Sequence, residues 1–202
     1  MIKKYYLNIL FLLIGTILMA FGGGFFITSQ MGSDALMVLN QGLAHFLKIE
    51  VGYALIISNC IAFFVIIFIN RKSIGLGTIV ISLLLGPMIN FIININILVT
   101  PNNIFLKLMM TLLGNLIGGL GIAMYLYADV GLSPFEAIII TIEKKTKWRF
   151  AFLKIINDAI FFLIGSLLGG KFGIGSIITV IIFGPIIAFF LKILRSTYII
   201  KN

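Results

Sequence analysis

Residues 75–87 read GLGTIVISLLLGP, and residues 173–185 read GIGSIITVIIFGP. Each stretch holds Gly-x-Gly, a small hydroxyl residue, an apolar run and a closing Gly-Pro, and Gly75 recurs as Gly173, 98 positions on. The match continues outward. Asn59 in IISN (56–59) meets Asn157 in KIIN (154–157) at the same spacing. Nearer the N-terminus, Gly15, Gly22 and Gly32 recur at a spacing of 99 as Gly114, Gly121 and Gly131. The chain therefore reads as two tandem repeats, residues 5–93 and 105–195, joined by a linker at 94–104 within a single membrane domain over 1–202.

Composition sets the solvent. Hydrophobic residues make up 61% of the chain and charged ones 10%, against roughly 25% charged in an average soluble domain. Apolar runs recur at 6–27, 51–69, 74–93, 108–127, 150–168 and 172–191. Each is long enough to cross a hydrocarbon core of about 30 Å as a helix. An open sheet would leave unpaired backbone groups in lipid, so the expected fold is an all-α polytopic membrane protein. The first run has the basic start and apolar middle of a signal peptide. Its repeat counterpart lies in mid-chain, so it is read as a retained transmembrane helix.

The net charge of +9 sits in short clusters between apolar runs, such as Lys3-Lys4, Arg71-Lys72 and Lys144 to Arg149. That distribution is a positive-inside signal and excludes a nucleic-acid surface. The cluster Lys144, Lys145, Lys147, Arg149 would also touch anionic lipid headgroups. His45 and Trp148 read as interfacial residues. One His and one Cys offer neither a metal site nor an intrachain disulfide, and no cofactor is expected.

Each repeat also holds a short element after a glycine turn, SDALMVLNQGLAHFL in the first half and SPFEAIIITIEKK in the second. If these cross the membrane there are eight spans in parallel repeats. If they re-enter or lie in the interface, there are six spans in inverted repeats. With the N-terminus inside, six spans leave Lys48, Lys107 and Lys171 outside, and eight leave Arg71, Lys72 and Lys171 outside. Charge does not separate the two. Length favours six, because the apolar stretch 135–142 covers about 12 Å as a helix, and Glu136 interrupts it. Both termini are then cytoplasmic.

Gly86-Pro87 and Gly184-Pro185 lie within spans. Proline cannot donate to the carbonyl four residues back, so each helix is expected to kink or break, freeing carbonyls at Leu83 and Ile181. Interrupted helices in corresponding positions of two halves often build transporter sites. The alternative is that the prolines only shape packing. The glycine clusters Gly22 to Gly24 and Gly118-Gly119 with Gly121 let helices approach closely. Gly75-x-Gly77 and Gly173-x-Gly175 lack a preceding strand and the full nucleotide fingerprint, and read as turns into the next span, with Thr78 or Ser176 in its first turn.

The candidate binding residues are the polar groups placed in or beside apolar runs. Asp158 lies about 12 Å into a span, and Lys154 is one turn earlier on the same face, so the two can pair. An ionisable group at that depth is a functional candidate. Asn59 and Asn157 share one repeat position, where amides either bind a polar solute or join neighbouring helices. Ser33 or Asp34 would cap the first short helix. Ser133 would cap the second, with Pro134 at its first position and Glu136 at capping-box spacing.

ADVGLSPFEA (128–137), after a glycine-rich span and leading to GIGS…GP (173–185), resembles the YczE/YyaS/YitT family of bacterial integral membrane proteins. The resemblance covers nearly the whole chain and is carried by Asp129, Gly131, Ser133, Pro134, Glu136, Gly173, Gly175, Gly184 and Pro185. The first half departs from it, since SQMGSDALMV lacks the proline and the preceding acid. The resemblance implies a bacterial cell membrane and a loose presumption of transport, with no substrate. The expected function is thus transport of a small solute at a site between the repeats. The alternative is a membrane-embedded accessory or regulatory protein acting through a partner or a second copy. An enzyme is not expected: the sequence has no His-Glu-x-x-His, no Gly-x-Ser-x-Gly and no aspartates in matching spans.

Overall fold

In a computed structural model, which describes residues 2–148 and 150–199, every long apolar run is a helix. Arg149 and the side chains of Lys3, Lys4 and Lys72, parts of the basic clusters, lie outside the described residues. The order is α1 (Ile2–Ser29), α2 (Ala35–Leu47), α3 (Val51–Ile69), a 3-10 turn (Arg71–Ser73), α4 (Leu76–Asn94), α5 (Ile104–Ala128), α6 (Pro134–Thr146), α7 (Phe150–Leu167) and α8 (Ile174–Ile199). No strand occurs among the described residues. Five helices, α1, α3, α4, α5 and α8, are long and apolar enough to cross a membrane. With 18 residues, α7 covers about 27 Å. The two short helices have 13 residues each. The molecule is a helical membrane protein.

Glycine sets the centre of the bundle. A Cβ on Gly15 would lie 2.7 Å from the Gly121 carbonyl oxygen, and one on Gly22 would lie 2.6 Å from Gly118 Cα and 3.1 Å from the Gly114 oxygen. As residue numbers rise along α1 they fall along α5, so the two helices are antiparallel. Gly15 faces Gly121, while Gly22 faces Gly114, and these are each other's counterparts at the spacing of 99. Contact of i with j′ and of j with i′ is the pattern of a twofold axis, here perpendicular to the helices. Without side chains between them the backbones approach closely, which gives dispersion contact where lipid offers no hydrophobic drive. Phe11, Leu12 and Ala20 of α1 are buried, as expected of a helix built into the bundle.

The glycine turns hold the halves together in a crossed arrangement. Gly32 and Gly131 have φ of +95° and +125°, the left-handed region where a Cβ is penalised. The N–H of Gly77 donates to the Val130 carbonyl at 2.9 Å, and the N–H of Gly175 donates to the Met31 carbonyl at 2.8 Å. Each half's Gly-x-Gly therefore receives the other half's turn, at equivalent positions. The hydroxyls complete the clasp. Thr78 Oγ1 donates to the Leu132 carbonyl at 2.7 Å and accepts from Gly75 N–H at 3.1 Å, while Ser176 Oγ accepts from Ser33 N–H at 3.0 Å. These bonds satisfy backbone groups that would otherwise be orphaned at helix ends.

The expectation of broken helices is corrected. α4 runs unbroken through Pro87, and α8 through Pro185. One lost hydrogen bond does not open a helix whose other backbone groups have no alternative partner in lipid. In α4, packing adds to this. The Gly86 carbonyl oxygen lies 2.0 Å from a Cβ built on Gly52, and Asn90 Oδ1 accepts from Gly52 N–H at 2.7 Å, clasping α4 to α3. Leu83 and Ile181, whose carbonyls the prolines release, are 50% and 66% exposed on outward faces.

Candidate functional site

A cavity of about 300 Å³ lies among α1 to α8, lined by Asp34, Asn40 and Asn59 from the first half and by Glu136, Lys154 and Asp158 from the second. Its position follows from the turns. The clasps at Gly32 and Gly131 aim the N-terminal ends of α2 and α6 at the interior, so that Asp34 and residues 133–136 meet there. Both short helices thus present their positive dipole ends to one space.

Asp34 occupies the N-cap position of α2, lines the cavity, and lies within electrostatic reach of Lys154 and Asp158. Ser33 is fully buried outside the cavity lining, with its hydroxyl lacking a partner among the described residues. Ser133 caps α6, its Oγ accepting from Glu136 N–H at 3.5 Å, with Pro134 following. The Glu136 carboxylate accepts from the Tyr125 hydroxyl at 3.3 Å at the cavity wall. Asp158 pairs with Lys154 as its spacing predicted, and accepts from Asn157 Nδ2 at 3.5 Å. Asn59 is 2% exposed and lines the cavity.

Asp129 stands apart. It is exposed, ends α5 with φ of +48°, and does not line the cavity. Of the four Gly-Pro positions only Gly184 reaches the cavity wall. Gly86 packs on Gly52, Pro87 is exposed, and Pro185 lies with Ile181 in a shallow apolar groove on the outer surface.

Three cavity groups carried no sequence signal as site residues. Tyr125 sits in an unbroken apolar run, and nothing in its spacing ties it to Glu136. Asn40 holds α2 against α3, its Oδ1 accepting from Ser58 Oγ at 2.7 Å and its Nδ2 donating to the Leu36 carbonyl at 2.8 Å. Lys154 was visible only as the partner of Asp158. Its reach toward Asp34 and Glu136 depends on how α2 and α6 enter the bundle.

Fold and site together define a polytopic helical membrane protein with a charged internal cavity. The chain belongs to the family of unknown function DUF6198, whose model matches residues 6–192. It is similar to an uncharacterized protein of Haemophilus influenzae, 29% identical over 193 residues, which covers 94% of this chain and 85% of that protein. It is also similar to the uncharacterized protein YyaS of Bacillus subtilis, 25% identical over 198 residues and covering 94% of each. The YyaS match bears out the resemblance read from ADVGLSPFEA. No solved structure matches the chain.

Proposed function

We propose that this protein moves a small polar or charged solute across a bacterial plasma membrane, through six spans arranged as inverted repeats with both termini cytoplasmic. One observation carries the reading: a cavity of about 300 Å³ inside an apolar bundle, lined by ionisable residues from both halves. Ionisable groups inside an apolar bundle are costly to place, and where they face a shared cavity they mark a functional site. The antiparallel contact of α1 with α5 supports inversion, since repeats related by an axis along the membrane normal would place these helices parallel. The chemistry is binding and release rather than bond-making, so we do not assign it an enzymatic activity.

The test is thermal stability of the purified protein against a panel of anions, amino acids, amines and thiols. A ligand of the cavity stabilises by mass action, and its effect is lost in Asp34→Asn and Glu136→Gln. A panel without effect on the wild-type protein counts against transport. A second reading has its own observation: only 6% of the α8 span is buried, against 50% for α1 and α4, which leaves a face for a partner or a second copy. Purification as a stable complex, with no ligand response, favours that accessory role.

A further inference from the structure

The two halves differ in one place that bears on how the cavity is reached. In the first half α3 and α4 are clasped by Gly52, Gly86 and Asn90. The counterpart of Asn90, 98 positions on, is Ala188, which has no amide to offer. The counterpart of Gly86 is Gly184, and a Cβ built there meets no atom within 4 Å beyond its chain neighbours and its own helix backbone. α7 and α8 accordingly leave a seam. Cavity-lining residues on both of its sides are exposed: Val180 at 55% and Gly184 on α8, and Lys154 on α7. Val180 and Gly184 lie about 9 and 15 Å into α8. At that depth the seam faces acyl chains rather than water.

The charge of the cavity selects an occupant. Lys154 pairs with Asp158, which leaves Asp34 and Glu136. Each stands at the N-terminal end of a short helix, and such an end supplies roughly half a positive charge. With both carboxylates ionised, roughly one negative charge is left without a partner. Asn59, 98% covered at 2% exposure, lines the same space and makes no side-chain hydrogen bond among the described residues. An amide at a cavity wall without a side-chain partner is available to a water or to a ligand that enters. Most of the remaining wall is apolar, with Leu85, Ile89 and Phe183 among it, beside the polar side chains of Asn40, Tyr125, Ser133, Asn157 and Thr179.

We propose that the cavity takes a monovalent amphiphilic cation, an ammonium group with a hydrocarbon tail, which enters sideways from the bilayer between α7 and α8. This rests on the cavity being a solute site. The ammonium meets Asp34, Glu136 and the Asn59 carbonyl oxygen, while the tail lies along Phe183 and out through the seam beside Gly184.

The experiment measures binding of hexylammonium, methylammonium, hexanoate and hexanol to the full chain in nanodiscs, with empty nanodiscs subtracted. Hexylammonium should bind at least about tenfold tighter than methylammonium, the factor that burying about two methylenes supplies, and tighter than hexanoate and hexanol, which carry a similar tail without the cationic group. Gly184→Trp, which fills the seam, should abolish that binding while leaving the fold intact. Val180→Trp serves if that variant does not fold. Equal binding of methylammonium, or tighter binding of hexanoate, overturns the amphiphile proposal and leaves the solute site standing. A cavity that neutralises itself by taking up a proton does not select the cation and binds hexanol at least as tightly as hexylammonium, which also overturns it. If the broader solute panel is silent, the transport reading falls with it.

Discussion

Two glycine-to-alanine substitutions separate packing from mere composition. A Cβ on Gly22 falls 2.6 Å from Gly118 Cα and 2.9 Å from Gly118 N. Both are backbone atoms that cannot rotate away, and ordinary carbon contact begins near 3.5 Å. Relief requires α1 and α5 to part by about 1 Å, which forfeits up to half of the dispersion well for the atoms that separate. Overpacking of this kind costs about 1–3 kcal/mol, and a backbone obstacle on a shared helix seam puts Gly22→Ala in the upper part of that range. At Gly184 the same Cβ meets nothing within 4 Å beyond its chain neighbours and its own helix backbone. There the change is close to neutral, because a helix-propensity gain of up to about 1 kcal/mol is offset by contact of the new Cβ with the ring of Pro185. Reversible unfolding in mixed micelles, followed by near-UV circular dichroism, gives both values. Equal effects at the two positions would refute the close α1–α5 seam.

Other substitutions probe the clasps and the corrected proline role. Asn90→Leu removes the acceptor for Gly52 N–H and should destabilise by about 1–3 kcal/mol, the cost of an unsatisfied buried donor; the same micelle assay reads it. Ser176→Ala and Thr78→Val each remove one half of the crossed turns. Either alone should cost about 1–2 kcal/mol, and the pair should cost less than their sum if the clasps act together, because losing one already weakens the other. The Pro87→Ala, Pro185→Ala double variant should keep normal abundance and full ligand response, because neither proline lines the cavity. Loss of response at normal abundance, read by thermal shift, would restore the prolines to the site.

Much of this was written in the sequence because it depends on local chemistry. The apolar runs fix the helices, and Ser133-Pro134 fixes the start of α6 through a cap and a residue that needs no N–H donor. The repeat in glycine and hydroxyl positions was equally visible. What it was for was not. The clasp pairs Gly77 with Val130 and Gly175 with Met31, partners far apart in the chain and not complementary in letter. The Gly-Pro pairs misled for a related reason. A missing N–H is legible at Pro87, but the direction in which the Leu83 carbonyl points is set by helix rotation, which tertiary packing decides. Tyr125 and Asn40 escaped notice because a tyrosine or an amide in an apolar helix has no signature until its neighbours are known.

The central claim is that two halves of opposite orientation enclose one cavity, and cysteine accessibility tests it most directly. Single cysteines in a Cys60→Ser background would be treated with an impermeant thiol reagent in intact cells. Six spans in inverted repeats place Ser73, at the turn between α3 and α4, on the cytoplasmic side, and Asn102, ahead of α5, outside. Ser73→Cys should therefore stay protected until the cells are opened, while Asn102→Cys reacts at once. The reverse pattern, Ser73→Cys labelled and Asn102→Cys protected, is that of eight spans in parallel repeats and would contradict the account.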